Sequence, residues 1–160
     1  TSCTQTLKTC RSYLTSENKD RFDKMTFLDA IDFAADRLLP RLNISKPKDK
    51  IVFHPVCSVH KMGSLGKLQQ VGNACAKQAD IPTFAGCCGM AGTFGLEREH
   101  LADSVAMAEL ALLPALAAEP EAQILCTGMA CRQQISRLTG RQPYHLASLL
   151  LATLGRGSRG

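Results

Sequence analysis

The chain has 160 residues, 45% apolar and 21% charged, with a formal net charge of +5. This length and balance suit one globular domain. The scattered Lys and Arg residues exclude a nucleic-acid face built from basic runs with interleaved aromatics. No run of about 18 apolar residues is present, which excludes a transmembrane segment. Neither a signal peptide nor a lipidation motif is visible, and the start without Met reads as a piece of a longer polypeptide. Eight cysteines then point to metal ligation or thiol redox chemistry in a reducing, cytoplasmic setting rather than to disulfides.

In chain order, residues 26–39 predict a helix, capped by Thr26 and Asp29 in a capping-box arrangement. Its apolar face is Phe27, Ile31, Ala34, Ala35 and Leu38, and Pro40 follows its last turn. After the polar linker SKPKDK, the stretch KIVFHP predicts a short buried strand ended by Pro55. Ser64 is placed to cap a helix reaching Ala79, with Leu65, Leu68, Val71 and Cys75 on its buried face. DIPTFAG predicts a second strand running into CCGMAGTFG. Residues 97 to about 117 predict a long helix buried through Leu101, Val105, Ala108, Leu112 and Leu116, bent or ended by Pro114. AQILC predicts a third strand ending at Cys126, followed by a helix over 130–139, the extended QPYH and a last helix in LASLLLATL. Alternating strands and helices imply an α/β fold, Rossmann-like and layered, with a mainly parallel sheet. Such sheets bind ligands at the carboxyl ends of their strands. Cys57, the pair Cys87 and Cys88, and Cys126 all fall there.

The adjacent pair narrows the chemistry. Neighbouring Cα atoms stand about 3.8 Å apart, closer than the roughly 4.4–6.8 Å of a normal disulfide. Two adjacent thiolates can instead face one polynuclear centre. Gly89 and Gly92 allow positive φ, so that backbone N–H groups can approach such a centre. A helix starting near Leu96 would add its positive end. Four or five thiolates suit an iron–sulfur centre, and four suit zinc; Cys57, Cys87, Cys88, Cys126 and Cys131 supply the candidates. Cys75 reads as a structural core residue, and Cys10 carries no signal. His54 and His60, flanking Cys57, read as strand-end and loop residues, His100 as an exposed helix residue and His145 as a helix start. Lys61 and Arg98 read as solvated surface. No Ser–His–Asp-like pattern suggests hydrolysis, so no catalytic residue is assigned.

HPVCSVHKMG, CCGMAGTFG and CRQQI together resemble the cysteine-rich CCG domain. That domain occurs in heterodisulfide reductase, in the anaerobic glycerol-3-phosphate dehydrogenase and in the iron–sulfur component of glycolate oxidase. The stretch is most similar to the C-terminal region of FAD-linked D-lactate and D-2-hydroxyglutarate dehydrogenases. The resemblance covers about residues 50–150. It implies a [4Fe–4S] centre, of non-cubane type in heterodisulfide reductase, held by Cys57, Cys87, Cys88 and Cys131. The usual closing C-x-x-C has Gly128 at its first position here, with Cys126 as the nearest thiol. CTQTL from Cys3 echoes CRQQI from Cys131, so Cys3 is expected to end a preceding repeat and to belong with the ligands. The expected organisation is a helical segment and linker over 1–45, one CCG domain over 46–155 and a disordered tail over 156–160.

The resemblance implies electron transfer as the function. Electrons would pass from a flavin domain of the same polypeptide or complex to a respiratory acceptor such as quinone, with FAD in the parent enzyme. The location would be cytoplasmic, peripheral to the inner membrane through the parent complex, and this chain alone would not be catalytic. A zinc-binding structural or interaction module, and a thiol–disulfide redox domain, stand as alternatives.

Overall fold

The computed structural model describes residues 2–82 and 86–154. The expected tail over 156–160 lies outside the described residues.

Three strands form a parallel sheet of order β2-β1-β3. β1 (Lys48–Phe53) is central, β2 (Ala76–Asp80) lies on one side and β3 (Gln123–Leu125) on the other. The register pairs Lys50 with Gln78 and Phe53 with Leu125. Beyond β3, the extended Tyr144 adds a single parallel bridge to Leu125, donating its N–H to the Ile124 carbonyl at 2.8 Å.

The central strand is buried on both faces, which is why KIVF reads as a continuous apolar run. On one face, Ile51, Phe53 and Leu125 pack with Ile31 of α3 (Ala30–Phe33), Leu68 and Val71 of α5 (Leu65–Cys75), and Leu149 of α9 (Leu146–Thr153). On the other, Val52 and Ile124 pack with Ala108 of α6 (Leu101–Leu110), Leu112 and Leu116 of α7 (Leu112–Ala117), and Ile135 of α8 (Met129–Thr139). The α/β reading of the sequence therefore holds, as a three-layered arrangement. Between the first strand and α5 lies the short α4 (Cys57–Lys61). Ahead of the sheet, α1 (Ser2–Cys10) and α2 (Ser16–Asp23) are tied by Arg11, whose Nε donates to Asp23 Oδ1 at 2.6 Å.

Three expected elements differ in the structure. The helix expected over 26–39 begins at Ala30, because buried Asp29 is the N-cap and accepts the Ile31 N–H at 3.0 Å. It widens into a π turn over Ala34–Leu38 and closes as a 3-10 turn over Leu39–Arg41. Pro40 explains the loosening, since it has no N–H to donate and its ring crowds the carbonyl of Asp36. The helix after Ser64 stops at Cys75, and Ala76–Asp80 leave it to pair with β1. The second strand thus ends at Asp80, the first residue of DIPTFAG, whose residues 83–85 lie outside the described residues. Local helix propensity in AKQAD yields there to hydrogen bonding with a sheet edge. Finally, the long helix over 97–117 is split. Two 3-10 turns precede α6, and Ala111 (φ −149°, ψ −43°) separates α6 from α7. Pro114 again accounts for the break, because no N–H answers the carbonyl of Leu110.

Candidate metal centre

The carboxyl ends of the strands deliver the functional side chains. Phe53 and Leu125 are register partners, so the residues that follow them, His54 and Cys126, leave the sheet side by side. The His54 N–H donates to the Leu125 carbonyl at 2.9 Å, and the Cys126 N–H to the Tyr144 carbonyl at 2.9 Å. Pro55 then ends the strand, and Cys57 becomes the first residue of α4. On the β3 side the chain turns at Gly128, the N-cap of α8, which places Cys131 in that helix's first turn. The unpaired N–H groups there favour negative charge on a nearby sulfur.

The cysteine pair sits on a loop of left-handed turns. Gly86, Gly89 and Gly92 have φ of +61°, +83° and +75°, and even Ala91 sits at +40°. At Gly89 the requirement is double: a Cβ would stand 2.0 Å from the Ser104 carbonyl oxygen of α6. This close approach presses the loop onto α6. The Gly89 N–H also donates to Cys87 Sγ at 3.3 Å. The loop is held from below by α8. Arg137 donates to the Gly95 carbonyl at 3.3 Å and to Gln134 Oε1 at 2.5 Å, and Gln134 Nε2 donates to Ser104 Oγ at 3.0 Å. One network therefore fixes the loop bearing Cys88 against the helix bearing Cys131.

The result is a convergence of thiols. Cys88 Sγ and Cys131 Sγ lie 3.0 Å apart. A ring nitrogen of His54 joins them, the three donor atoms all lying within 4.8 Å of one another. Cys57 lies close enough to Cys87 and Cys88, and Cys126 to Cys131, for the thiols to act on one another electrostatically. Among the expected ligands, then, Cys88 and Cys131 meet directly beside His54, and Cys57, Cys87 and Cys126 act on them or on one another electrostatically, whereas Cys3 is exposed on α1 and does not join the trio. Cys75 is fully buried on the α5 face, as expected of a structural residue.

The thiols carry the marks of a site that a cation would complete. Cys88 is pushed up to about 12, first by its hydrogen bond with Cys131 and then by burial, while His54 pulls it down. Cys131 is pushed up to about 12, first by its hydrogen bond with Cys126 and further by burial, while Cys88 opposes the rise. Burial of the Cys57 thiol, then the charges of Cys87 and Cys88, raise its value too. Packed thiols resist ionising next to one another, and a metal cation removes that penalty by replacing their protons. The donor set therefore fits a thiolate-bound metal or iron–sulfur centre.

Two features go beyond the sequence expectation. His54 stands at the strand end as expected, and it is also a buried member of the trio; its position before a proline at a buried strand's carboxyl end is the one local signal of this. Arg132, next to Cys131, is the nearby cation, and it depresses the His145 pKa after burial has done so first. Lys61 and Arg98 are exposed, as expected of solvated surface. The helix start expected near Leu96 lies at Leu101, so the positive helix end expected after the glycines is supplied by the first turn of α8.

Comparison with known proteins finds partial matches to dehydrogenases. Over 66 residues, 41% of this chain, the sequence is 41% identical to D-2-hydroxyglutarate dehydrogenase of Pantoea ananatis and 39% identical to that of Escherichia coli. Over 71 residues it is 35% identical to D-2-hydroxyglutarate dehydrogenase of Pseudomonas putida. The matched stretch spans only 6% of the length of the first two relatives and 7% of the third. No family model matches the chain, and no solved structure matches it. Among the described residues, no helix is long and apolar enough to cross a membrane.

Proposed function

We propose that this chain is the iron–sulfur electron-transfer segment of a FAD-linked 2-hydroxy-acid oxidoreductase, of D-2-hydroxyglutarate, D-lactate or glycolate type. The observation that carries the reading is the meeting of Cys88 and Cys131, from stretches 43 residues apart, with buried His54 at the carboxyl edge of one parallel sheet. The similarity to D-2-hydroxyglutarate dehydrogenases supports the oxidoreductase context. The resemblance to CCG domains supports one such domain over residues 46–155, after the helical segment 1–45.

In this reading Cys57, Cys87, Cys88 and Cys131 hold the centre, and Cys126 supplies the thiol that Gly128 does not. When bound, a [4Fe–4S] centre supplies one-electron storage between a flavin donor and a respiratory acceptor such as quinone. The chain's residues position and insulate it. Gly89 donates its N–H toward sulfur, Met90 and Ile135 exclude water from beneath, and the Arg137–Gln134–Ser104 network holds the ligand loop against α8. Cys3 is proposed as the remnant of a preceding repeat, contributing when the longer polypeptide is present.

A second reading, a structural zinc site, is favoured by the compactness of the His54, Cys88 and Cys131 trio. Anaerobic reconstitution with ferrous iron and sulfide separates the two. Iron and sulfide retained after desalting, with broad visible absorption, support the electron-transfer reading. A colourless protein that retains zinc alone refutes it.

A further inference from the structure

The two histidines flanking Cys57 have opposite fates: His60 is exposed on α4, and His54 is 2% exposed beneath the thiols. A buried imidazole needs partners for both ring nitrogens, and one left without is destabilising. His54 Nδ1 is buried and has no hydrogen-bond partner among the described residues. The groups brought to this ring are Cys88 and Cys131, whose sulfurs and one ring nitrogen lie within 4.8 Å of one another. Metal–nitrogen and metal–sulfur bonds of about 2.0 and 2.3 Å let one metal atom serve three donors at such spacing.

Gly128 faces the Cys131 sulfur, but a Cβ there would stand 2.4 Å from Val56 Cγ1 and 3.4 Å from Cys131 Sγ. A cysteine at 128 would have to displace Val56, which packs between the two apolar clusters.

We infer that His54, together with Cys88 and Cys131, ligates one metal atom of the centre, making it a mixed nitrogen–thiolate site. This rests on the metal-centre reading above. A neutral nitrogen in place of a thiolate lowers the negative charge on the centre and raises its reduction potential, as histidine ligation does in other iron–sulfur sites. The strand-to-helix turn at His54–Pro55 is then a potential-setting element as well as a structural one.

The test is anaerobic reconstitution of the chain with ferrous iron and sulfide after growth on 15N-histidine, followed by pulsed paramagnetic resonance of the dithionite-reduced protein. A strongly coupled histidine nitrogen is expected in the wild type and in His60→Gln and His145→Gln. It is expected to vanish in His54→Cys, which should keep its iron and show a lower midpoint potential. Iron uptake without nitrogen coupling in the wild type, or coupling that survives in His54→Cys, overturns ligation by His54 and leaves the iron–sulfur reading intact. Failure of the wild type to take up iron overturns both. If His54→Cys does not fold, the wild-type spectrum decides together with the His60 and His145 variants: coupling lost in either of those assigns it away from His54 and overturns the inference.

Discussion

Replacing Gly89 by alanine should separate two costs that the ligand loop hides. Gly92 has φ +75° with nothing within 4 Å of where a Cβ would stand, so Gly92→Ala meets only the left-handed backbone penalty of about 1–2 kcal/mol. Gly89 has φ +83°, and its added carbon would sit 2.0 Å from the Ser104 carbonyl oxygen and 2.8 Å from the carbonyl carbon. Those atoms are helix backbone and cannot rotate away, so overpacking adds about 1–3 kcal/mol. The total for Gly89→Ala is about 2–5 kcal/mol. Urea unfolding of both variants, followed by far-ultraviolet circular dichroism, measures the difference. Gly89→Ala should also lose metal uptake even where it still folds, because relief of the clash lifts Cys88 away from Cys131. Equal destabilisation by the two substitutions, or full metal uptake by a folded Gly89→Ala, would refute the close packing of this loop on α6.

Cys88→Ser should abolish iron uptake in the full-length polypeptide while leaving the helix content of this chain unchanged; cluster absorbance that persists counts against the ligand set. Arg141 donates to the carbonyls of Leu116 and Ala122, joining the end of α7 to the approach to β3, so Arg141→Ala should cost about 1–3 kcal/mol in denaturant unfolding. Asp29→Ala removes the N-cap of α3 and should cost about 1–2 kcal/mol by the same assay, a loss within error arguing against the cap. Burial raises the Cys75 thiol above its ordinary 9.0, while Thr153 pulls it down. The folded chain thus keeps that proton longer than the unfolded one: the contribution is intact below about pH 9 and is lost as pH rises beyond it. Cys75→Ala should flatten that alkaline decline by up to one proton, and unchanged slopes would show that Cys75 ionises freely in the folded state.

Much of the architecture follows from local chemistry. The apolar run IVF, the strand ending at Cys126 and the helices over 130–139 and 146–153 are legible because period, caps and burial agree in those segments. Cys57, Cys126 and Cys131 are legible because they follow a strand or open a helix, whereas the pair Cys87 and Cys88, expected at a strand end, sits on a glycine loop beyond β2. The boundaries around Cys75 and Ala111 are not legible, since AKQAD and the alanine-rich stretch have helical composition. Sheet pairing decides the first and a missing proline N–H decides the second.

The order of elements and the thiol inventory belong to the sequence, because side-chain periodicity and residue type are properties of neighbours along the chain. Which sulfurs meet, and that an imidazole lies among them, belongs to the tertiary structure. The parallel register of β1 and β3 sets His54 beside Cys126, and the packing of Gly89 on α6 brings Cys88 to Cys131. Those distances depend on contacts between residues far apart in sequence, which no local pattern encodes.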